Sequence, residues 1–187
     1  MLSCLGIYNA RLPVRVQKMF PYLCVSDVNA AIDFYVSAFG ATEAYSPEGA
    51  DGRLGHAELE FGGGAVMLSD EFPEMDVKNA STLGGTPVTL YLRHEDADAV
   101  VMRARKLGAL VESKVQDHFH GERSGAICDP FGHRWMIGTH IEDVSPEEMQ
   151  RCYDEMTGDQ ENAVQTILNC SRLPCCRWPV GSGQASP

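Results

Sequence analysis

Histidines and glutamates at alternate positions are the residues of this chain best placed to do chemistry. His56, Glu58 and Glu60 stand two residues apart, and His118 and His120 repeat that spacing. Alternate residues of a β-strand share one face of the sheet and lie roughly 6.5 Å apart. Imidazole and carboxylate groups bind divalent metals and also transfer protons. We favour plainer interpretations of such short motifs, a solvated strand edge paired with arginines for the first group and a polar loop for the second.

The elements that must position these side chains occur twice in the chain. Residues 28–41 match residues 96–109 at a shift of about 68 residues, and residues 61–68 match residues 129–136 at the same shift. Each copy predicts the order β-α-β-β-β, with a helix that begins near an aspartate and ends at Gly40 or Gly108. Two similar units that face each other form a cleft, and small ligands bind in clefts.

The predicted fold is α+β, with two tandem modules followed by a C-terminal helix and an irregular tail. The helix begins at the capping box Ser145-Pro146-Glu147-Glu148, and the composition after it is typical of disorder. The predicted boundaries are an N-terminal extension (1–17), module one (18–71), a polar linker (72–86), module two (87–142), the helix (143–156) and the tail (157–187).

Charge and composition exclude two classes of partner. The chain has 26 acidic and 15 basic side chains and a formal charge of −11, which would repel the phosphate backbone of a nucleic acid. No apolar run approaches the length of a membrane span. Seven cysteines form neither an even disulfide framework nor a paired C-x-x-C pattern, which favours a reducing compartment such as the cytoplasm.

The start of the chain carries basic residues and no acid before Asp27. Arg11, Arg15 and Lys18 are typical of a short mitochondrial or plastid presequence. We favour a frayed N-terminus, because the stretch is short and poor in serine.

The order of motifs resembles the vicinal-oxygen-chelate superfamily, which includes glyoxalase I, extradiol dioxygenases and bleomycin-resistance proteins. Within it the PhnB-like branch is the most similar, and the likeness covers residues 18–142. The motifs that carry it are Pro21-Tyr22-Leu23, Asp27, Ala31-Ile32-Asp33-Phe34-Tyr35, Phe39-Gly40-Ala41, Gly55-His56-Ala57-Glu58-Leu59, Gly121-Glu122-Arg123-Ser124-Gly125 and Asp129-Pro130-Phe131-Gly132-His133-Arg134-Trp135. The resemblance implies a glyoxalase-like, cup-shaped sheet, half from each module, and a homodimer.

The resemblance also identifies the positions where metal enzymes of the superfamily hold their ion. These enzymes take one ligand, usually His or Glu, from each of four strands. The matching residues here are Phe20, Leu68, Thr89 and Met136. None of them is a ligand for a cation that requires imidazole or carboxylate. We therefore predict no standard metal site and no cofactor.

Polar and aromatic side chains are expected on the cup face of the strands. The arginines among them favour an anionic or oxygen-rich small molecule. The predicted ligand-binding residues are Tyr22, His56, Glu58, Asp70, Tyr91, Arg93, His118, His120 and Arg134.

Three functions are compatible with this pattern, and no catalytic residue is assigned. The favoured one is a metal-free module that binds a small organic molecule in the cup between the modules, as bleomycin-resistance proteins do. The alternative is a lyase, isomerase or dioxygenase whose Zn, Ni, Mn or Fe ion is held by a displaced set of ligands from His56, Glu58, His118 or His120. A third is a scaffold whose cup is closed by a dimer partner or by the tail.

Overall fold

The computed structural model describes residues 18–45, 52–155, 157 and 158. The predicted extension 1–17 and residues 159–187 of the predicted tail lie outside the described part. Module one comprises β1 (Tyr22–Val25), α1 (Val28–Phe39), β2 (Thr42–Tyr45), β3 (Ala57–Phe61) and β4 (Gly64–Asp70). Module two comprises β5 (Thr89–Arg93), α2 (Ala97–Lys106), β6 (Leu110–His118), β7 (Glu122–Cys128) and β8 (Arg134–His140). The predicted α+β fold of two β-α-β-β-β modules is confirmed.

Short helical segments complete the described chain. A 3-10 turn, Pro73–Met75, lies in the linker. The predicted C-terminal helix, α3, covers residues 146–155, and residues 157 and 158 are also helical. Among the described residues, no helix is long and apolar enough to cross a membrane.

Each module forms a four-stranded sheet with its first strand at an edge. The strand orders are β1-β4-β3-β2 and β5-β8-β7-β6. β1 runs parallel to β4, and β5 runs parallel to β8, while β3 and β4 form an antiparallel hairpin. A parallel pair needs a crossover, and α1 and α2 are parts of those crossovers.

At several points the two modules align with a shift that is one residue larger than the predicted shift of about 68 residues. Asp27 and Asp96 are the N-caps of α1 and α2, and each side chain accepts a hydrogen bond from the amide three residues on. Likewise Met67 and Met136 occupy matching positions opposite the tyrosine of the first strand. Leu68 is therefore not the counterpart of Met136, and the predicted shift is one residue too small at these points.

The two modules bury one common core. The inward faces of both sheets contribute Leu23, Val25, Leu59, Leu68, Ile127, Trp135 and Ile137. Aromatic rings join the modules, because Trp135 lies 4.9 Å from Phe39 and 5.9 Å from Phe61 between ring centroids. Each fully buried aromatic or aliphatic side chain contributes about 1.5–3 kcal/mol. The opposite face of each sheet therefore points away from this core.

A buried carboxylate provides a polar link between the modules. Asp129 is 4% exposed and accepts four hydrogen bonds. One oxygen accepts from the Tyr35 hydroxyl at 2.6 Å and from the Trp135 indole at 2.9 Å. The other accepts from the amides of Phe131 and His133, both at 2.9 Å. Burial and the Asp129 charge hold the pKa of Tyr35 well above its usual value, so its hydroxyl keeps the proton that it donates.

The chain divides into two compact units. One contains the residues up to Gln116 together with Ser124–Thr139, and the other contains Asp117–Arg123 and the residues from His140 onward. The second unit includes a turn at Gly121, whose φ of 78° lies in the left-handed region. The Gly121 carbonyl accepts hydrogen bonds from Ile141 and Glu142, at 3.0 and 3.2 Å.

Candidate functional site

The outward face of the first sheet presents a row of side chains, one from each strand. Tyr22 pairs with Met67, Met67 with Glu58, and Glu58 with Tyr45. The two tyrosines end the row and are 50% and 57% exposed. The rings of Tyr22 and Tyr45 lie 5.6 and 6.3 Å from the His56 ring, so the imidazole lies between two phenols.

A chain of hydrogen bonds connects three of the predicted ligand-binding residues on this face. The Tyr22 hydroxyl lies 3.0 Å from His56 Nδ1, and His56 Nε2 lies 3.0 Å from Glu58 Oε1. The same hydroxyl lies 2.9 Å from the Gly55 carbonyl. Partial burial raises the pKa of Tyr22. His56 and Glu58 thus pair with each other and with a tyrosine, whereas a pairing with arginines was the prediction.

Leu68 and Asp70 belong to the inward face of β4 and not to the predicted cup face. Leu68 is 0% exposed and lies in the core. Asp70 has the same parity, and its two oxygens accept hydrogen bonds from the amides of Val28 and Leu54, at 2.8 and 2.6 Å. Because strand side chains alternate, the one-residue error in the module equivalence moved both residues to the wrong face.

The outward face of the second sheet carries cations. Thr89, Tyr91 and Arg93 alternate along β5, and Tyr91 is 47% exposed. Arg134 Nε lies 2.6 Å from Glu112 Oε2, so this predicted ligand-binding arginine has an ion-pair partner on its own sheet.

His118 and His120 lie together in the second compact unit. Their rings are stacked, with centroids 5.2 Å apart and planes 17° apart. Both side chains are half-buried. His118 ends β6 and His120 lies in the turn that follows, so the two imidazoles lie side by side.

A cleft of about 740 Å³ lies where the β3–β4 hairpin meets β5. Both modules line it, and of the nine predicted ligand-binding residues Tyr91 and Arg93 reach it. Its lining includes Lys18, Phe20, Glu60, Phe61, Tyr91, Arg93 and Trp135. Its volume falls within the range of roughly 300–1,000 Å³ that is usual for small-molecule sites.

The residues at the superfamily's metal positions do not fit a metal ion. Phe20, Leu68, Thr89 and Met136 offer neither imidazole nor carboxylate, and Met67, which replaces Leu68 on the outward face, offers only a thioether. In the described parts of the chain, no three His, Cys, Asp or Glu side chains come together in a way that could hold a metal.

Sequence reasoning did not predict that Tyr45 lies beside His56. The β2–β3 register is irregular between Glu43 and Tyr45, so simple alternation along β2 does not predict which way the Tyr45 ring points. The signal that could have identified it is the pairing of β2 with the His-x-Glu strand.

Known proteins are similar to this chain in sequence or in fold. An uncharacterised protein of Mycobacterium tuberculosis (strain ATCC 25618 / H37Rv) is 44% identical over 133 residues, which cover 70% of this chain and 78% of that protein. The crystal structure of TioX from Micromonospora sp. ML1 has a TM-score of 0.53 and 30% identity, covering 67% of this chain and 100% of TioX. A PhnB protein from Bacillus cereus has a TM-score of 0.53 and 18% identity, covering 66% of this chain and 99% of that one.

These matches agree with the motifs found in the sequence. The resemblance to PhnB-like proteins is confirmed at the level of the fold. The family model of the Glyoxalase/Bleomycin resistance protein/Dioxygenase superfamily matches residues 15–137. This chain therefore belongs to the Glyoxalase/Bleomycin resistance protein/Dioxygenase superfamily.

Proposed function

We propose that the protein binds a small organic ligand, with an aromatic body and an anionic or oxygen-rich group, in the cleft between the β3–β4 hairpin and β5. The observation that carries this proposal is the composition of the cleft wall. Phe20 and Tyr91 provide aromatic surface for the body of the ligand. Lys18 and Arg93 bring two cations to the same cleft, and Glu60 brings one carboxylate. Arginine pairs well with carboxylate and phosphate groups because its donors form a fixed fork.

The proposed binding does not use the superfamily's metal. The side chains at the metal positions are apolar or hydroxyl-bearing, so ligand recognition rests on aromatic contact and on charge. The function is then closer to sequestration or sensing than to the metal-dependent reactions of the superfamily.

The first prediction concerns Arg93. 8-Anilinonaphthalene-1-sulfonate matches the proposed ligand in its aromatic body and anionic group, and its fluorescence rises in an apolar site. We expect Arg93→Ala to weaken its binding about tenfold, since one charge-assisted hydrogen bond is lost. A fluorescence titration measures this effect.

Two controls make the Arg93 experiment specific. N-phenyl-1-naphthylamine has a similar body without the sulfonate, and its binding should be unchanged in Arg93→Ala. Arg134→Ala removes a cation on the same sheet that does not line the cleft, and it should leave both probes unaffected. Equal binding of the sulfonate by wild type and Arg93→Ala would refute the proposed anion subsite. If the purified protein held one divalent ion per chain and His56→Ala lost it, the proposal that ligand binding needs no metal would be overturned.

We also propose that the protein is a homodimer. The outward faces are half-exposed and differ in charge. The first sheet carries Glu58 and Glu60, and the second carries Arg93 and the ion pair of Arg134 with Glu112. A two-fold axis would bring the first sheet of one subunit against the second sheet of its partner, and would do so twice. This arrangement would complete the cup that the resemblance implies.

The dimer prediction is tested by sedimentation velocity. We expect the mass of two chains at micromolar concentration, with a shift toward monomer as NaCl rises from about 50 mM to about 1 M, because salt screens exposed charges. A single-chain mass at every concentration would exclude the dimer.

A reducing compartment is proposed from the thiols. Cys24, Cys128 and Cys152 are free cysteines. Burial is the main cause that raises the pKa of Cys24 and of Cys128, which makes both thiols poor nucleophiles. Unpaired, unreactive thiols are typical of small hydrophobic packing residues in reduced proteins.

A further inference from the structure

A carboxylate, an imidazole and a phenol follow one another on the outward face of the first sheet. Glu58 contacts His56 Nε2, and His56 Nδ1 contacts the Tyr22 hydroxyl, both at 3.0 Å. None of the three lines the cleft assigned to ligand binding. This relay, defined as Glu58, His56 and Tyr22, therefore requires an explanation of its own.

The position of one proton decides what the relay can do. A carboxylate accepts hydrogen bonds only, so Glu58 favours the His56 tautomer that carries its proton on Nε2. Nδ1 then has a free lone pair directed at the Tyr22 hydroxyl. In this tautomer the Tyr22 proton is shared with a base, whereas in the other tautomer Nδ1 donates to Tyr22, and the hydroxyl proton turns to the Gly55 carbonyl.

Partial burial raises the pKa of Tyr22, so little free phenolate exists at neutral pH. The hydroxyl becomes a nucleophile only when a neighbouring base takes its proton during attack. His56 Nδ1 is the base within hydrogen-bond reach. The tyrosine is half-exposed in the single chain. In the proposed dimer its face would line the cup between the subunits, where a small electrophile can approach it.

We infer that Glu58, His56 and Tyr22 form an acyl-accepting site for small esters and other electrophilic acyl compounds. Tyr22 Oη bonds to the acyl carbon, and its proton passes to His56 Nδ1. The bond between the acyl carbon and the leaving oxygen breaks, and the alcohol portion departs with the electron pair of that bond. Glu58 stabilises the imidazolium that forms and fixes its orientation; it is a positioning residue.

Tyr45 provides an internal reference for this inference. It lies on the same sheet face, is exposed to a similar extent and has its ring near His56. Both ring nitrogens of His56 are nevertheless engaged by other groups, Tyr22 and Glu58. A general change in solvent access would alter the acetylation rates of both tyrosines, whereas the relay accelerates the acetylation of Tyr22 alone.

The experiment uses p-nitrophenyl acetate on the full chain, with peptide mass spectrometry to locate and count acetyl groups. We expect Tyr22 to be acetylated at least about tenfold faster than Tyr45, since a positioned general base accelerates proton transfer by about 10²–10⁴ and half-exposure reduces this. Tyr22→Phe should abolish the fast phase of p-nitrophenolate release. Tyr45→Phe should retain it.

Two matched glutamate variants test the positioning role. In Glu58→Gln the amide can donate to Nε2 and so favours the wrong tautomer, and the Tyr22 to Tyr45 acetylation ratio should fall to near one. Glu95→Gln makes the same chemical change at an exposed position just before α2, on the other module, and should keep the ratio. Equal acetylation of the two tyrosines in wild type, an unchanged ratio in Glu58→Gln, or a fast phase that survives in Tyr22→Phe would each overturn the inference.

Discussion

Replacing Asp129 by asparagine is expected to lower the free energy of unfolding by about 3–5 kcal/mol. The carboxylate accepts four hydrogen bonds in the core, two at each oxygen. An amide keeps one oxygen and replaces the other with an NH₂ group, which cannot accept. Whichever way the amide turns, one pair of donors loses its acceptor and faces another donor. Denaturation in urea, followed by tryptophan fluorescence, measures the loss.

Two variants calibrate this result. Tyr35→Phe removes one donor but does not place two buried donors against each other. It should therefore lower the free energy of unfolding by about 1.5–3 kcal/mol, less than Asp129→Asn. Asp33→Asn makes the same chemical change at an exposed position of α1 and should stay within about 0.5 kcal/mol of wild type. If Asp129→Asn were no more destabilising than Asp33→Asn, the role given to the buried carboxylate would be wrong.

Gly121→Ala is expected to disrupt the turn of the second compact unit, at a cost of about 3 kcal/mol or more. A non-glycine residue in the left-handed region costs about 1–2 kcal/mol. The added Cβ would also lie 2.1 Å from the carbonyl oxygen of Glu142, a backbone atom that cannot move alone. Hydrogen exchange of the Ile141 and Glu142 amides, which donate to Gly121, gives a local measurement.

Gly62→Ala is the matched control for the turn. Gly62 has a similar φ of 67°, but a Cβ there would meet nothing within 4 Å. Gly62→Ala should show only the cost of a left-handed backbone at a non-glycine residue. The difference in destabilisation between the two variants then measures the contact of the added Cβ with the Glu142 carbonyl. Equal effects of Gly121→Ala and Gly62→Ala would mean that the carbonyl contact is unimportant.

Local signals were sufficient to predict most of the fold. The capping aspartates, the glycines after the helices and the two-residue period of the strands are read within a few neighbouring residues, and they gave the correct order of elements. Register is different, because it depends on pairing partners that are distant in the sequence. A one-residue difference between the modules was enough to place Leu68 and Asp70 on the wrong face.

The candidate site was predicted only where its parts are close in sequence. The spacing of His56 and Glu58 identified a polar pair, but it gave no indication that the partner is Tyr22, more than thirty residues earlier. That contact follows from the parallel pairing of β1 with β4 and the antiparallel pairing of β4 with β3. The cleft likewise depends on how the hairpin of one module meets the first strand of the other.

The link between Tyr35 and Asp129 has a consequence for the history of a repeated chain. The phenol belongs to the first repeat and the carboxylate to the second, so the bond makes each half depend on the other. A deletion that left a single repeat would leave either the Asp129 carboxylate without its donor or the Tyr35 phenol without its acceptor. Once this mutual dependence exists, selection for stability retains both copies, even where only one of them contacts a ligand.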